Sequence, residues 1–414
     1  MRIVSASGVA ACTVDGTTIH TDLHMVPCSR TVCSEQEGDR LEKEMHGVQL
    51  YIIDEYSFVS HRLFMSIASR LSCAFPSPDG DIFGKANVLL IGDVLQIPPV
   101  LNLGLWEQPK LSSDDHTAYS RYRQLFRTAY HLHGSFRQGG DQEWSDCLQR
   151  LRLATCTSAD VALLNSRYDI DCPPGPDILR IFGTKRLVRN YNQTRLDTLP
   201  LKFQWICRHT ISGSKNIGPL ALNRVRHRTH GRIIGNPKSV ELPDSSQQIA
   251  IDSRVMLVRN SPSCLKFGLC NGATGTVVGV WLHPKHSQQI SNPNTPTVLV
   301  QFDEHCWRST HSFDPKCPIV VPIPPMSVTF EHDGTNATRY WCPLKLAWAI
   351  TSHKSQSMTL PAVAVDFKSM FFEMGLQYVA ASRVRRSVDF NLLQPIMDWE
   401  LKPRKRQRHM KTVE

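Results

Sequence analysis

Leu50-Tyr51-Ile52-Ile53-Asp54-Glu55 is the stretch on which the reading of this chain turns. Four apolar residues run straight into two acids. A short continuous apolar run suits a strand buried on both faces of a sheet. Carboxylates at its carboxyl end would project into the crevice where open α/β sheets bind ligands. A magnesium ion takes hard oxygen ligands, and phosphoryl transfer to water needs a group that orients the water. Asp54 suits the first task and Glu55 the second. Taken alone, such a stretch is more often an ordinary strand whose end is solvated.

Outward from it the same pattern recurs. Val88-Leu89-Leu90-Ile91-Gly92-Asp93 is a second apolar run ending at an acid, and Val94 to Val100 is expected to continue it as strand. Gln96, at that edge, can hydrogen-bond a terminal phosphate oxygen or a water. Arg2-Ile3-Val4 reads as a strand, followed by a loop entering a helix and by a turn at Gly16-Thr17-Thr18-Ile19-His20. Residues 34–47 suit a surface helix or loop. Leu63, Ile67 and Leu71 give a helical stripe between His61 and Cys73. Residues 102–120 look loop-like and polar. Further on come a helix with Trp144, Leu148 and Leu151, and a second helix capped by Ser158. A strand at Ile178 to Phe182 and a helix over Arg186 to Leu196 follow.

Composition shifts at Ile249. Short β runs follow to Phe330, at Val255–Val258, Thr276–Val280, Thr297–Val300 and Ile319–Val321, with turn residues between them. That pattern predicts a small β-barrel. The α/β character then resumes with the apolar Leu344–Ile350, the strand Val363–Asp366 and a helix marked by Phe371, Met374, Tyr378 and Ala381. The expected plan is 1–130 for a first α/β domain and 131–248 with 336–395 for a second. The β insert occupies 249–335, and a basic tail 396–414.

The chain has 414 residues, 41% hydrophobic and 20% charged, as in soluble globular proteins. No apolar run reaches the ~18 residues of a membrane span, and no secretory leader is read at the N-terminus. Thirteen cysteines, an odd number with no C-x-x-C, point to reduced thiols in the cytosol or nucleus. His20, His24, Cys28 and Cys33 fit no standard zinc spacing. The net charge of +10 suits a polyanionic partner, nucleic acid first, or simply a solvated basic surface. Lys402-Pro403-Arg404-Lys405-Arg406-Gln407-Arg408 is a cluster of the nuclear-localisation or nucleic-acid-contact kind.

In their order these pieces resemble the Pif-type DNA helicases of superfamily 1B, including the helicase part of Helitron transposons. Ala6–Ala11 with Gly16–His20 resembles motif Ia. Ile52–Glu55 resembles Walker B, and Ile91–Asp93 with Gln96, Pro98 and Pro99 resembles motif III. Phe136-Arg137-Gln138 is similar to motif IV. Leu346–Ala349 with Thr351, His353–Gln356, Thr359 and Leu360 is similar to motif V. Tyr378–Ala380 with Ser382–Arg385 is similar to motif VI. Val255–Leu257 and Asn271–Gly275 resemble the strand entering the family's SH3-like domain.

The resemblance implies an α/β fold of two RecA-like P-loop NTPase domains, the first incomplete, with an SH3-like barrel inserted in the second. It implies ATP and Mg2+ as cofactors, single-stranded DNA and DNA duplex junctions as partners, 5′→3′ movement, no membrane and a monomer. The expected compartment is nuclear, or mitochondrial for a longer parent. Carried over residue by residue, Asp54 holds magnesium, Glu55 orients the attacking water and Gln96 senses the γ-phosphate. Arg137 and Arg383 are arginine fingers, and Gln356 lies on the nucleotide. Thr18, His20, Thr351, His353 and Lys354 touch the DNA backbone.

Two departures stand out. Ser357 occupies a family glycine, which puts a side chain where positive φ is expected. No G-x-x-x-x-G-K-[ST] occurs, and Gly84-Lys85-Ala86 is the nearest Gly-Lys pair. Without that loop the phosphates lack their backbone cradle and its lysine. The expectation is a truncated or decayed copy whose first sheet shows a gap or an exposed edge. Such a polypeptide hydrolyses ATP poorly and survives as a DNA-binding remnant.

Overall fold

The computed structural model describes residues 1–25, 33–99, 102–110, 114–132, 134–168, 178–212, 219–233, 239–260, 264, 267–281, 295–303, 320–372 and 375–401. The basic cluster at 402–408 and Cys28 and Met374 lie outside them. Two compact units emerge, one formed chiefly by the chain to Tyr191 and from Trp348 onward, the other by Asn192–Ala347.

The first unit holds two parallel sheets. In one, β1 (Arg2–Ser5), β2 (Thr17–Thr18), β3 (Leu50–Asp54) and β4 (Asn87–Leu90) lie in the order β2-β1-β3-β4. Arg2 to Ser5 pair with Tyr51 to Asp54 in register, so Ser5 and Asp54 finish side by side. Tyr51 and Ile53, on one face, are fully buried, whereas Leu50 and Ile52 on the other are half-buried, so β3 is not buried on both faces as its continuous apolar run suggested. β4 is an edge strand, and Leu89 within it is 43% exposed. In the other sheet β5 (Leu179–Phe182), β18 (Ala349–Thr351), β19 (Val363–Val365) and β20 (Phe390–Leu392) lie in the order β18-β5-β19-β20, all parallel.

Helices follow their local signals. Glu35–Glu44 opens with a capping box between Ser34 and Glu37. His61–Ala74 buries Phe64, Ile67 and Leu71, the expected stripe. Helix Ser158–Asn165 is capped by Thr157 rather than Ser158, because Asp160 completes a capping box with Thr157. Three expectations fail. Residues 94–99 do not prolong β4, and Val100 lies outside the described residues: the Asp93 carboxylate accepts from Leu95 N at 3.0 Å and bends the chain into a turn. Within the supposed loop 102–120, a helix starts and runs over Asp114–Leu125. The helix marked from Phe371 begins only at Leu376, behind a left-handed Gly375.

The second unit is antiparallel. Its strands are β6 (Lys202–Ile206), β7 (Arg208–Ile211), β8 (His230–Arg232), β9 (Ser239–Glu241), β10 (Ser246–Ala250) and β11 (Arg254–Leu257). They continue with β12 (Thr274–Trp281), β13 (Thr297–Phe302), β14 (Val320–Ile323), β15 (Met326–His332), β16 (Thr335–Trp341) and β17 (Leu344–Leu346). Five form the sheet β14-β13-β12-β11-β17, beside β15-β16-β7, β10-β6 and β8-β9. Val255, Val277, Val300 and Phe302 of the five-stranded sheet share one core with Trp205, Val328 and Trp341 of its neighbours. The β-rich unit thus starts at Asn192, well before residue 249, because β6 and β7 pair forward with β10 and β16. Inside it Arg339 is 1% exposed. Its Nε donates to His209 Nε2 at 2.8 Å, and its other nitrogens donate to the carbonyls of Pro243, Val225, Arg226 and Arg228.

Candidate nucleotide site

The site forms at the carboxyl ends of the parallel strands of the first unit. Asp54 is the last residue of β3, and the chain then turns sharply because Glu55 adopts a left-handed backbone, φ +53°. The turn is held by Tyr56 N donating to Ile91 O at 3.0 Å. Burial, and then the charge of Glu55, push the Asp54 carboxyl above the usual range. A half-buried carboxylate raised in this way gains most from a hard cation, so Asp54 fits the magnesium role.

Glu55 is gripped on both oxygens. Ser357 Oγ donates to Oε1 at 2.6 Å and Gln356 Nε2 to Oε2 at 3.2 Å. Gln356 is buried and its Oε1 has no protein partner. Ser357 itself sits at φ +66°, so the glycine-like conformation expected there is adopted by a serine. These two donors follow the short helix Ser352–Ser355, which is anchored by Ser352 Oγ donating to Leu376 O at 2.7 Å.

The arginines meet nearby. Arg383 is 2% exposed and donates only to neutral acceptors, Val379 O at 2.5 Å, Met358 O at 3.3 Å and Ser382 Oγ at 2.6 Å. Arg137 Nη1 donates to Ser382 O at 3.0 Å, and Gln138 Nε2 to Ser382 O and Val384 O at 3.3 and 3.0 Å. Burial depresses the pKa of both guanidiniums, and for Arg383 the charge of Arg137 adds to the effect; Tyr378 and Glu55 oppose it. Among the described residues neither arginine forms an ion pair with a carboxylate. Two desolvated cations side by side make a place for an anion.

Gln96 joins from the turn after β4. Its Nε2 approaches Asp93 Oδ2 at 3.4 Å, and Asp93 is held by Arg152 through bonds of 2.9 and 2.8 Å. Gly375, φ +75°, packs so closely on this turn that a Cβ would lie 2.9 Å from Leu95 O and from the Gln96 carbonyl carbon. The five DNA-facing candidates are divided between the sheets. Thr18 ends β2 and caps the helix Ile19–Asp22, and burial lowers the pKa of His20 behind it. Thr351 ends β18, with His353 half-buried and Lys354 exposed just after it. Sequence reasoning missed the Ser357 bond, the Arg152 clamp and the Gln138 bridge. Arg152 alone carried a local signal, as a basic residue in the last turn of its helix.

Residues 1–152 match the family model described as PIF1-like helicase. The "ATP-dependent DNA helicase PIF6" of Trypanosoma brucei brucei is 26% identical over 418 residues, covering 94% of this chain and 47% of that protein. The "ATP-dependent DNA helicase PIF1" of Xenopus laevis is 27% identical over 403 residues, covering 94% and 54%. The chain thus spans about half the length of these curated relatives. The crystal structure of Pif1 helicase from Candida albicans superposes with a TM-score of 0.69 at 21% identity, covering 100% of this chain and 89% of that one. A Bacteroides Pif1 in complex with ADP-AlF3 and ssDNA gives 0.66 at 21%, covering 100% and 86%. The fold is therefore that of the Pif1 helicases, with two RecA-like domains.

Proposed function

We propose that this PIF1-like chain is an ATP-dependent DNA motor that couples hydrolysis to 5′→3′ movement on single-stranded DNA and to unwinding at duplex junctions. The observation that carries the reading is one arrangement: Glu55 at a parallel-strand end, with Arg383 buried and Arg137 half-buried nearby and, among the described residues, no carboxylate ion-paired to either. Asp54 would hold Mg2+, which supplies charge neutralisation to the phosphates when bound. Glu55 orients the water, Gln96 and Gln356 face the terminal phosphate, and the two arginines stabilise charge developing on it. Thr18, His20, Thr351, His353 and Lys354 hold the DNA backbone without reading sequence. The names of the relatives and the ssDNA in the Bacteroides structure support this reading. The chain acts as a monomer, and the basic cluster at 402–408 supports work in the nucleus.

A second reading rests on the sequence itself. The 414 residues contain no G-x-x-x-x-G-K-[ST], so the polypeptide they form binds single strands but turns over ATP poorly. One experiment separates the two: ATP turnover with and without single-stranded DNA, on this chain and on Glu55→Gln. DNA-stimulated turnover that falls by about 10² or more in Glu55→Gln supports the motor. Salt-sensitive DNA binding with no turnover supports the second reading. Absence of DNA binding at low salt overturns both.

A further inference from the structure

Ser357 combines two features that need a joint explanation. Its backbone is left-handed at φ +66°, a conformation disfavoured by about an order of magnitude for a residue with a Cβ. Its hydroxyl makes a 2.6 Å bond to Glu55, itself left-handed at φ +53°. Two unfavourable backbone positions thus face each other across one short bond. A carboxylate acceptor makes that bond about twice as strong as a neutral one. The donor is well supported: Ser355 Oγ and Ser352 Oγ are both buried and bonded, at 2.8 and 2.7 Å, in the turn of helix just before it.

We propose that Ser357 is a positioning residue for Glu55. Its hydroxyl fixes the carboxylate rotamer from the Oε1 side while Gln356 holds Oε2, and the left-handed backbone is what aims the hydroxyl. A carboxylate offers about four lone-pair sites, so two donors leave room for a water. The inference rests on the reading of Glu55 as the group that orients the attacking water. It also ties that group to the segment carrying Thr351, His353 and Lys354, because the clamp follows directly in sequence. The rival explanation is a serine merely tolerated in place of glycine. Glycine at 357 would then stabilise the protein whatever stands at 55.

The test is a double-mutant cycle in the full chain, read by urea unfolding. Ser357→Ala lowers the folding equilibrium constant about tenfold with Glu55 present, and less than about twofold in a Glu55→Ala background. Ser357→Gly gains about fivefold, through relief of φ, only in that background. Equal effects in both backgrounds overturn the proposal. If Glu55→Ala does not fold, Glu55→Gln replaces it, and the Ser357→Ala loss shrinks to about threefold. In kinetics, Ser357→Ala lowers kcat about tenfold with KM for ATP unchanged. Ser357→Asn, which keeps a donor and accepts positive φ, restores it. A change confined to KM counts against the proposal. The unfolding cycle decides the bond whether or not ATP is turned over, whereas turnover that survives Glu55→Gln sinks the helicase reading instead.

Discussion

Arg339 and Arg383 are both almost wholly buried, and among the described residues neither has a carboxylate for a hydrogen-bond or ion-pair partner. Their surroundings differ in kind. Arg339 is surrounded by acceptors: a histidine nitrogen and four backbone carbonyls hold it, and it stacks on Phe330 at 5.6 Å. Arg383 has three neutral acceptors and a second guanidinium, Arg137, as a neighbour. The first arrangement is complete and braces the strand β16 against the helix Pro219–His227. The second is short of negative charge, which on the proposed reading an incoming phosphate would supply. Burial of an arginine therefore says little about its task, and the sign of its neighbours says much.

The comparison breaks if the two respond alike to truncation. Arg339→Ala orphans several buried acceptors and costs about 3 kcal/mol or more of stability in urea unfolding, with no direct effect on nucleotide binding. The histidine sharpens the contrast. Burial, and then the charge of Arg339, lower the His209 pKa to about 4, so it accepts from Arg339 as a neutral ring. Its folded pKa lies below the unfolded value of about 6.5, so the unfolded chain binds the extra proton. This contribution is complete above about pH 6.5 and is lost as pH falls toward 4. The loss is on the order of 2 kcal/mol, seen in unfolding midpoints across that window and removed by His209→Gln. Arg383→Leu has the smallest effect on stability, within about 1 kcal/mol, because an apolar group replaces a desolvated cation. It weakens binding of Mg-ATP at least about tenfold by titration calorimetry. A stability loss as large as that of Arg339→Ala would make Arg383 a brace as well.

What could be read from the sequence follows from how each element hides its apolar residues. β1, β3, β5 and β19 are built around short apolar runs and were legible as strands. β15 and β16 alternate, with burial at every second residue, and their exposed Thr, Asn and Glu disguised them. The helix Asp114–Leu125 offers Tyr119 and Tyr122 to His61 and Phe64, so its packing face is made of tyrosines that pass for polar. Of the candidate site residues, Asp54, Glu55 and Gln96 could be proposed from the residues themselves, and Gln356, Arg137 and Arg383 only from the family likeness. Their hydrogen bonds could not. The Ser357–Glu55 bond spans 302 residues of sequence, and no local pattern encodes such a meeting.

Gly375 has a consequence of a different sort. Where it meets Leu95 and Gln96 the only thing between two backbones is a hydrogen atom. A machinist would call this a clearance rather than a part. Its value lies in being narrow: any shift of the Gln96 turn is passed to the start of helix Leu376–Ala381, and through Ser382 to the arginines, with almost no play. At this position even one methyl group would meet backbone atoms at 2.9 Å and be felt as wear in the bearing.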